Sequence, residues 1–191
     1  PGESTALRRT RGSTCQITDF LPEEEELRIG DSHELSPAGG RSSNGTLPFF
    51  DVDWASGRAV VAVGWSGQWA ASISRPDMRR LHLTAGQQTT HLRLQPGERI
   101  RSPRILIAFT CEGGADRAHN RFRRLMLTHY CPRVDGELAV PPISHPTANA
   151  ILQSGHPANE QNQMEMLNAA HAVNAEVYWL DAYWFPGGFP G

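Results

Sequence analysis

The sequence predicts a mainly β fold: an antiparallel β-sandwich, followed by a linker helix and by the first helix and strand of an α/β domain. From Thr14 to Gly113, short apolar or alternating runs recur roughly every ten residues with Gly, Pro, Asn or Asp between them, as in sandwiches. After Gly113 the apolar spacing lengthens from about two to about 3.6 residues, which indicates helix. A chain of 191 residues suits one domain or slightly more.

The composition is that of a globular protein, with 39% hydrophobic and 20% charged residues. Its 18 Lys and Arg nearly balance its 20 Asp and Glu, so no general attraction to nucleic acids or anionic membranes is expected. No apolar run approaches the roughly eighteen residues of a membrane-spanning helix. Cys15, Cys111 and Cys131 are too far apart for a zinc site or a redox pair, which favours buried free thiols in a reducing cytosol or one incidental bridge. We therefore expect a soluble protein, with the cytoplasm favoured, that binds neither nucleic acid nor membranes.

Several segments have the patterns of sandwich strands. Arg58–Gly64 and Gln68–Ser74 are separated by a short Trp-Ser-Gly segment and predict a hairpin. Leu81–Leu83 and His91–Leu94 alternate apolar and polar residues, as half-buried strands do. Arg104–Phe109 is a continuous apolar run, which predicts a central strand.

Short charge runs near the N-terminus are expected to be solvated rather than functional. The arginines of residues 8–11 predict an exposed face, and Glu23–Glu26 predicts an exposed turn or loop edge.

The next predicted element is an amphipathic helix over Asp116–Tyr130, closed by Pro132, because a proline disfavours helix in the residue before it. One face of this helix is apolar at helical spacing. It is formed by Ala118, Phe122, Leu125, Met126 and His129. Arg133–Pro157 is rich in Pro, Ser, Gly and His without periodicity, and it predicts a linker between domains.

The C-terminal region predicts one repeat of an α/β domain. Asn159 is a suitable cap for a helix through Asn174, and Glu176–Asp181 predicts a buried strand that ends in a carboxylate. In α/β barrels, groups that contact substrate lie at this end of a strand. With no further strand in the sequence, we expect this one to lack parallel neighbours and Asn159–Gly191 to be the least stable segment.

The predicted domain boundaries are 1–114 for the sandwich, 115–158 for the linker helix and connection, and 159–191 for the start of the second domain. The chain begins at Pro1 rather than Met and stops soon after an apolar run. Both ends are therefore expected to be cuts inside a longer protein.

Three segments, in this order, resemble the family 36 glycoside hydrolases, the α-galactosidases also called melibiases. The first segment is similar to a motif of the family's N-terminal sandwich, the second to its last sandwich strand and exit helix, and the third to its first barrel strand. The residues are Gly40–Ser43 with Leu47–Phe50 and Val63–Trp69; Ser102–Phe109 with Asn120–Arg124; and Asn159-Glu160 with Glu176–Phe185.

The resemblance implies a fold and an activity. The fold is an antiparallel supersandwich followed by a (β/α)8 barrel, truncated here after its first helix and strand. The implied reaction is hydrolysis of terminal α-galactosides with retention, using one carboxylate as nucleophile and another as acid/base. Both carboxylates belong to later barrel strands, beyond Gly191, so we expect no catalytic residue here and no activity from this chain alone. The expected partners are an oligosaccharide or glycoside substrate and, for the parent protein, other copies of itself.

Two residues are candidates for substrate binding. Asp181 matches the first acid at the end of the family's first barrel strand, where carboxylates accept hydrogen bonds from sugar hydroxyls; helix capping or pairing with Arg is its alternative role. Trp184 is suited to pack on a pyranose ring, or equally to lie in a core. Ala182 replaces the second carboxylate of the family's paired form, and Tyr183 stands where Gly is usual. Loss of one acceptor weakens the expected selectivity for galactose.

The alternative hypothesis is a non-catalytic sandwich that binds carbohydrate or serves a structural role. Trp65 and Trp69 would then form a stacking platform, although packing inside the sandwich or at its interface with the barrel is favoured for both. His145, His156 and His171 lack the spacing of metal ligands, and neither a metal nor a cofactor is expected.

Overall fold

The computed structural model describes residues 4–111, 114–139, 143–144, 159–175 and 177–180, with only the backbone described at 143–144. The chain divides into two compact units, Pro1–Arg124 and Leu125–Gly191. The strands of the first unit are β1 (Thr5–Arg11), β2 (Pro22–Glu26), β3 (Ser32–Leu35), β4 (Thr46–Trp54), β5 (Gly57–Gly64), β6 (Trp69–Ser74), β7 (His82–Gln87) and β8 (Arg104–Thr110).

These strands form two antiparallel sheets that enclose one core, which confirms the predicted β-sandwich. The larger sheet has the order β2-β1-β4-β5-β8, and the smaller has the order β3-β6-β7. Alternate side chains of each strand point inward, as the pleat requires. The buried core consists of Leu7, Leu27, Leu35, Phe50, Val52, Val61, Val63, Trp69, Ala71 and Ile73.

The predicted hairpin of residues 58–74 is wrong, although both of its strands exist. β5 is hydrogen-bonded to β4 on one side and β8 on the other, so it has no free edge for β6. β6 lies instead in the smaller sheet, between β3 and β7. Residues 65–68 therefore cross from one sheet to the other, and the sequence between the strands joins two layers.

Two further strand predictions need correction. β8 is an edge strand of the larger sheet within the described chain, and not a central one. Its Phe109 is 70% exposed, because the smaller sheet ends at β7 and does not extend over it. His91–Leu94 forms no strand; residues 88–103, all of which are described, lie outside both sheets.

The two charge runs pair with each other instead of lying separately in solvent. Glu23–Glu26 belongs to β2, an edge strand rather than a turn, and β2 is antiparallel to β1. Arg8 binds Glu24 at 2.9 Å, and Arg9 binds Glu25 at 2.7 Å. A row of charged side chains on an edge strand also opposes pairing with other chains.

The predicted linker helix is confirmed as α1 (Ala115–His129). Its first part packs on the outer face of the larger sheet, where Ala118 is buried and the Phe122 ring meets Phe49 edge to face at 5.9 Å. Because α1 covers one face of β5 and the smaller sheet covers the other, residues 58–63 of β5 are buried throughout. This explains the continuous apolar run in that strand.

The second unit contains β9 (Arg133–Val134), β10 (Glu137–Leu138), β11 (Ile143–Ser144), α2 (Glu160–Ala172) and β12 (Val177–Tyr178). The segment predicted as an irregular linker includes the β9–β10 hairpin, whose Asp135 and Gly136 both have positive φ, as a type I′ turn requires. The prediction that the C-terminal strand lacks a parallel neighbour is wrong, because β11 pairs with β12 in parallel. No helix in the described part of the chain is long and apolar enough to span a membrane.

Candidate functional site

The two predicted sugar-binding residues, Asp181 and Trp184, lie outside the described residues. The described chain reaches Leu180, so the structure shows the strand that leads to the predicted site. The prediction of a buried strand over Glu176–Asp181 is wrong within the described residues, because β12 spans Val177–Tyr178 and is half-buried. Trp179 and Leu180, which follow it, are 54% and 39% exposed. The assignments of Asp181 and Trp184 therefore stay predictions.

Helix α2 and strand β12 are joined by specific contacts. A reciprocal capping box begins the helix: the Asn159 side chain accepts from the Asn162 N–H at 3.0 Å, and the Asn162 side chain accepts from the Asn159 N–H at 3.0 Å. From β12, the Tyr178 hydroxyl donates to Oε1 of Gln163 in α2 at 2.6 Å. Desolvation by burial raises the pKa of Tyr178, so this hydroxyl remains a donor at neutral pH. The helix and the strand before Asp181 thus form one hydrogen-bonded pair.

Trp65 of the crossing segment and Trp69, the first residue of β6, do not form a carbohydrate platform. Trp69 is completely buried, and its Nε1 donates to the carbonyl of Ser42 at 2.8 Å. Trp65 is partly buried and packs against the same core. A stacking platform needs an exposed aromatic face. The packing interpretation of Trp69 is therefore confirmed, and the carbohydrate-binding alternative loses its main residue.

The crossing segment has a structural role that the sequence did not reveal. The Gln68 side chain accepts from the Gly40 N–H at 2.8 Å and donates to the Pro37 carbonyl at 2.7 Å. With the Trp69 bond to Ser42, these contacts fix the loop before β4 against the start of β6. The motifs around Gly40 and Trp69, which are distant in sequence, are thus adjacent in the fold.

A cluster of charged side chains lies on the outer face of the larger sheet. Arg58 is 9% exposed and is paired with Asp53, while Asp51 is 5% exposed. Nε2 of His119 in α1 lies 2.5 Å from Oδ2 of Asp51, and Arg8 reaches Asp53 at 2.9 Å. Each carboxylate faces cations of the protein itself. The cluster consequently attaches α1 to the sheet, and it is unlike the pair of substrate-facing carboxylates that a glycosidase uses.

Sequence reasoning missed this cluster, although a signal for it exists. Asp51 and Asp53 alternate with apolar residues, which places both on one face of a strand, and Arg58 follows across a short turn. His119 is distant in sequence, and only the packing of α1 brings it there. No group of residues in the described part of the chain could hold a metal ion.

An apolar groove of about 300 Å³ lies between the two sheets. It lies beside the inner faces of β5, β7 and β8 and contains no carboxylate. Its lining includes Trp54, Ile73, Leu83, Ile107 and Phe109, with Arg79 and His82 as polar members. Nothing in the strand pattern predicted this groove, because it results from the unequal sizes of the two sheets.

Comparison with known proteins gives similarity at the level of structure only. No family model and no curated protein matches the sequence. Among solved structures, the GH36 α-galactosidase AgaA from Geobacillus stearothermophilus is 18% identical with a TM-score of 0.73, over 97% of this chain and 26% of that one. AgaB from the same organism gives 15% identity and a TM-score of 0.70, with the same coverages. The α-galactosidase from Lactobacillus brevis gives 17% and 0.62, over 97% of this chain and 25% of that one.

These matches define the chain first as a β-sandwich of the kind that occurs in glycoside hydrolases. More particularly, it has the fold of the N-terminal region of family 36 α-galactosidases, in agreement with the resemblance of its sequence motifs. The chain spans about a quarter of the length of the structures it matches.

Proposed function

We propose that this chain is the N-terminal part of a retaining α-galactosidase-like glycoside hydrolase that acts on α-linked galactosides or related sugars in oligosaccharides. One observation supports the proposal above the others: the fold matches family 36 α-galactosidases over 97% of the chain. At 15–18% identity this likeness concerns the fold, so the substrate and the reaction belong to the proposal.

In this proposal the chain contributes architecture and one edge of the sugar site. Residues 1–114 form the sandwich, 115–158 the connection, and 159–191 the start of the (β/α)8 barrel. Asp181 would accept hydrogen bonds from a sugar hydroxyl, and Trp184 would pack on the ring face. The nucleophile and the acid/base would come from later barrel strands, so that the chain itself contains no catalytic residue.

The internal packing of the sandwich argues against a binding module. Trp69 is completely buried, and the charged cluster around Arg58 is saturated by contacts within the protein. Trp65 and Trp69, on which the alternative hypothesis depended, therefore do not form an exposed aromatic platform.

An assay with a chromogenic α-galactoside tests the proposal. The 191-residue chain alone should give no turnover, whereas a protein in which a complete barrel follows residue 191 should hydrolyse the substrate with retention. In that longer protein, Asp181→Asn should reduce kcat/KM by about 10- to 100-fold, as expected for a lost hydrogen bond to a charged acceptor.

Asp135→Asn is the matched control, because Asp135 is an exposed residue of the β9–β10 turn and its positive φ suits asparagine. It should leave kcat/KM unchanged. Turnover by the 191-residue chain would show that the proposed roles are wrong. Equal kcat/KM for the Asp181→Asn and Asp135→Asn proteins would remove Asp181 from the sugar site.

A further inference from the structure

The groove between the sheets adjoins a segment that has the pattern to fill it. Sheet β3-β6-β7 has two strands fewer than the sheet that faces it, so part of the inward face of β8 is left without a facing strand. Ile107 and Phe109 of β8 pair with Val61 and Ala59 of β5 and are 42% and 70% exposed. An added strand beside β7 would lie over them.

The segment that follows β7 begins at the open edge where such a strand would bind. Within the described chain, β7 pairs with β6 alone, so its other edge is free. Residues 88–103, here called the strap, lead from β7 to β8 and belong to no strand. Leu92 and Leu94 of the strap are 48% and 46% exposed. The edge of β7 could pair with a further strand, and the exposed leucines could be buried in the groove if the strap formed that strand.

If the strap paired with β7 as an antiparallel hairpin, the alternation of side chains along the strand would direct both leucines inward. In β7, Leu83 and Ala85 face the core. A two-residue turn at 88–89 places Leu92 opposite Ala85 and Leu94 opposite Leu83. A two-residue turn at 89–90 shifts both leucines by two residues and keeps them on the same face. In either register His91 and Arg93 point to solvent.

The strap also has the turn and the length that this path requires. Gln95–Glu98 forms a hydrogen-bonded turn, with the Glu98 N–H donating to the Gln95 carbonyl at 3.0 Å, Pro96 second and Gly97 third at φ +88. This is the pattern of a type II turn, which reverses the chain. Residues 91–94 would advance about 13 Å and residues 99–103 could return about 16 Å.

The ends of the path agree with the observed pairing. Gln87 pairs with Trp69 at the start of β6, and Arg104 pairs with Gly64 at the end of β5. Residues 64 and 69 are joined by the short crossing segment, so β7 ends and β8 begins at the same end of the sandwich. A strap that runs out along β7 and back therefore arrives where β8 starts.

We propose that the strap closes the groove: residues 91–94 bind the free edge of β7 as a fourth strand of the smaller sheet, with Leu92 and Leu94 inside. The open form leaves the groove accessible, and the closed form shields it. The strap thus determines whether the groove is open to solvent, and this inference does not depend on the proposed function.

Cysteine cross-linking in the 191-residue chain tests this inference. Cys15, Cys111 and Cys131 are replaced by Ser, Ala85→Cys is introduced, and a second cysteine is placed at Leu92, Arg93 or Leu94. A directly opposite pair has its Cα atoms about 4.5–5.5 Å apart, which permits a disulfide. Leu92→Cys or Leu94→Cys, according to the register, should form the intramolecular disulfide at least tenfold faster than the matched control Arg93→Cys.

Each other outcome overturns the proposal. Equal rates at the three positions would show random collisions of an open segment. No cross-link at any position would show that the strap does not reach β7. Disulfides between two chains instead of within one, seen as a dimer under denaturing non-reducing conditions, would assign the groove to a second copy of the protein.

Discussion

The two units of the chain differ in how their strands are held. In Pro1–Arg124, strands of four to nine residues pair in two sheets around a shared buried core. In Leu125–Gly191, each described strand has two residues, and Ala170 is the buried residue of α2. Burial of apolar area is the main source of folding free energy. The sandwich therefore carries its own stability, whereas the described part of the second unit does so to a smaller extent.

The largest expected change in stability separates two tryptophan substitutions, one in each unit. Trp69→Ala should lower the free energy of unfolding by about 3–5 kcal/mol, because it removes a fully buried aromatic side chain and leaves a cavity. Trp179→Ala, at a side chain that is 54% exposed, should change it by less than about 1 kcal/mol. Urea unfolding monitored by circular dichroism measures both values. Similar losses would mean that the second unit is packed as tightly as the first.

A somewhat smaller effect is expected at the buried charges under α1. Arg58→Ala should cost about 3 kcal/mol of unfolding free energy, since it leaves two carboxylates on the sheet without their main cation. The control, Arg28→Ala, removes a 75% exposed partner of Glu26 and should cost at most about 0.5 kcal/mol. If thermal and urea unfolding show no difference between these variants, the buried ion pairs of Arg58 do not stabilise the larger sheet.

Capping of α2 provides a test confined to the second unit. Asn159→Ala removes one half of the capping box and should destabilise the helix by about 1 kcal/mol. Asn168→Ala, at an exposed position inside the same helix, should leave helicity equal or slightly higher because alanine is the better helix former. Amide exchange in α2 should rise only for Asn159→Ala, with β5 unchanged. A simultaneous rise in β5 would indicate that the two units unfold together.

The smallest effect concerns the charge ladder between β1 and β2. The hydrogen bond from Arg11 lowers the pKa of Glu23 below its ordinary value of 4.5, so Glu23 stabilises the folded state above that pH. The contribution is lost as the pH falls through the lowered folded pKa. Glu23→Gln should therefore be less stable than the native chain at pH 6, and the difference should begin to shrink as the pH falls below the ordinary pKa of 4.5 and vanish only below the lowered pKa of the folded state.

The control for this titration is Glu34→Gln, since Glu34 has no arginine partner among the described residues. It should show no comparable pH-dependent difference. Added salt should also reduce the effect of Glu23→Gln, because the ladder is partly exposed. A difference that does not shrink at all between pH 6 and pH 3 would assign the effect to packing and not to charge.

Local pattern was sufficient for part of the fold. The apolar spacing of residues 116–130 predicted α1, and the position of Asn159 predicted the start of α2. The apolar runs of β5 and β8 predicted strands correctly. Each of these elements depends on neighbours within a few residues, where propensity and periodicity act.

Pairing between distant residues was not predictable in the same way. The partners of β5 and β6, the ladder from Arg8 to Glu24 and the contact of His119 with Asp51 all depend on which strands become neighbours. A short connection suggested a hairpin, but burial of β5 on both faces required β6 in the other layer. For the site, the burial of Trp69 agrees with the general preference of tryptophan for the protein interior. The roles of Asp181 and Trp184 rest on the resemblance and stay predictions.

Hydrogen exchange followed residue by residue tests the difference between the two units most directly. Exchange free energies report local opening. Amides of β5, such as those of Val61 and Val63, should exchange only through global unfolding of the sandwich. Amides of β12, at Val177 and Tyr178, should exchange much earlier, and before those of Ile105–Phe109 in β8. Equal protection of β5 and β12 would contradict the account, because it would mean that both units share one cooperative core.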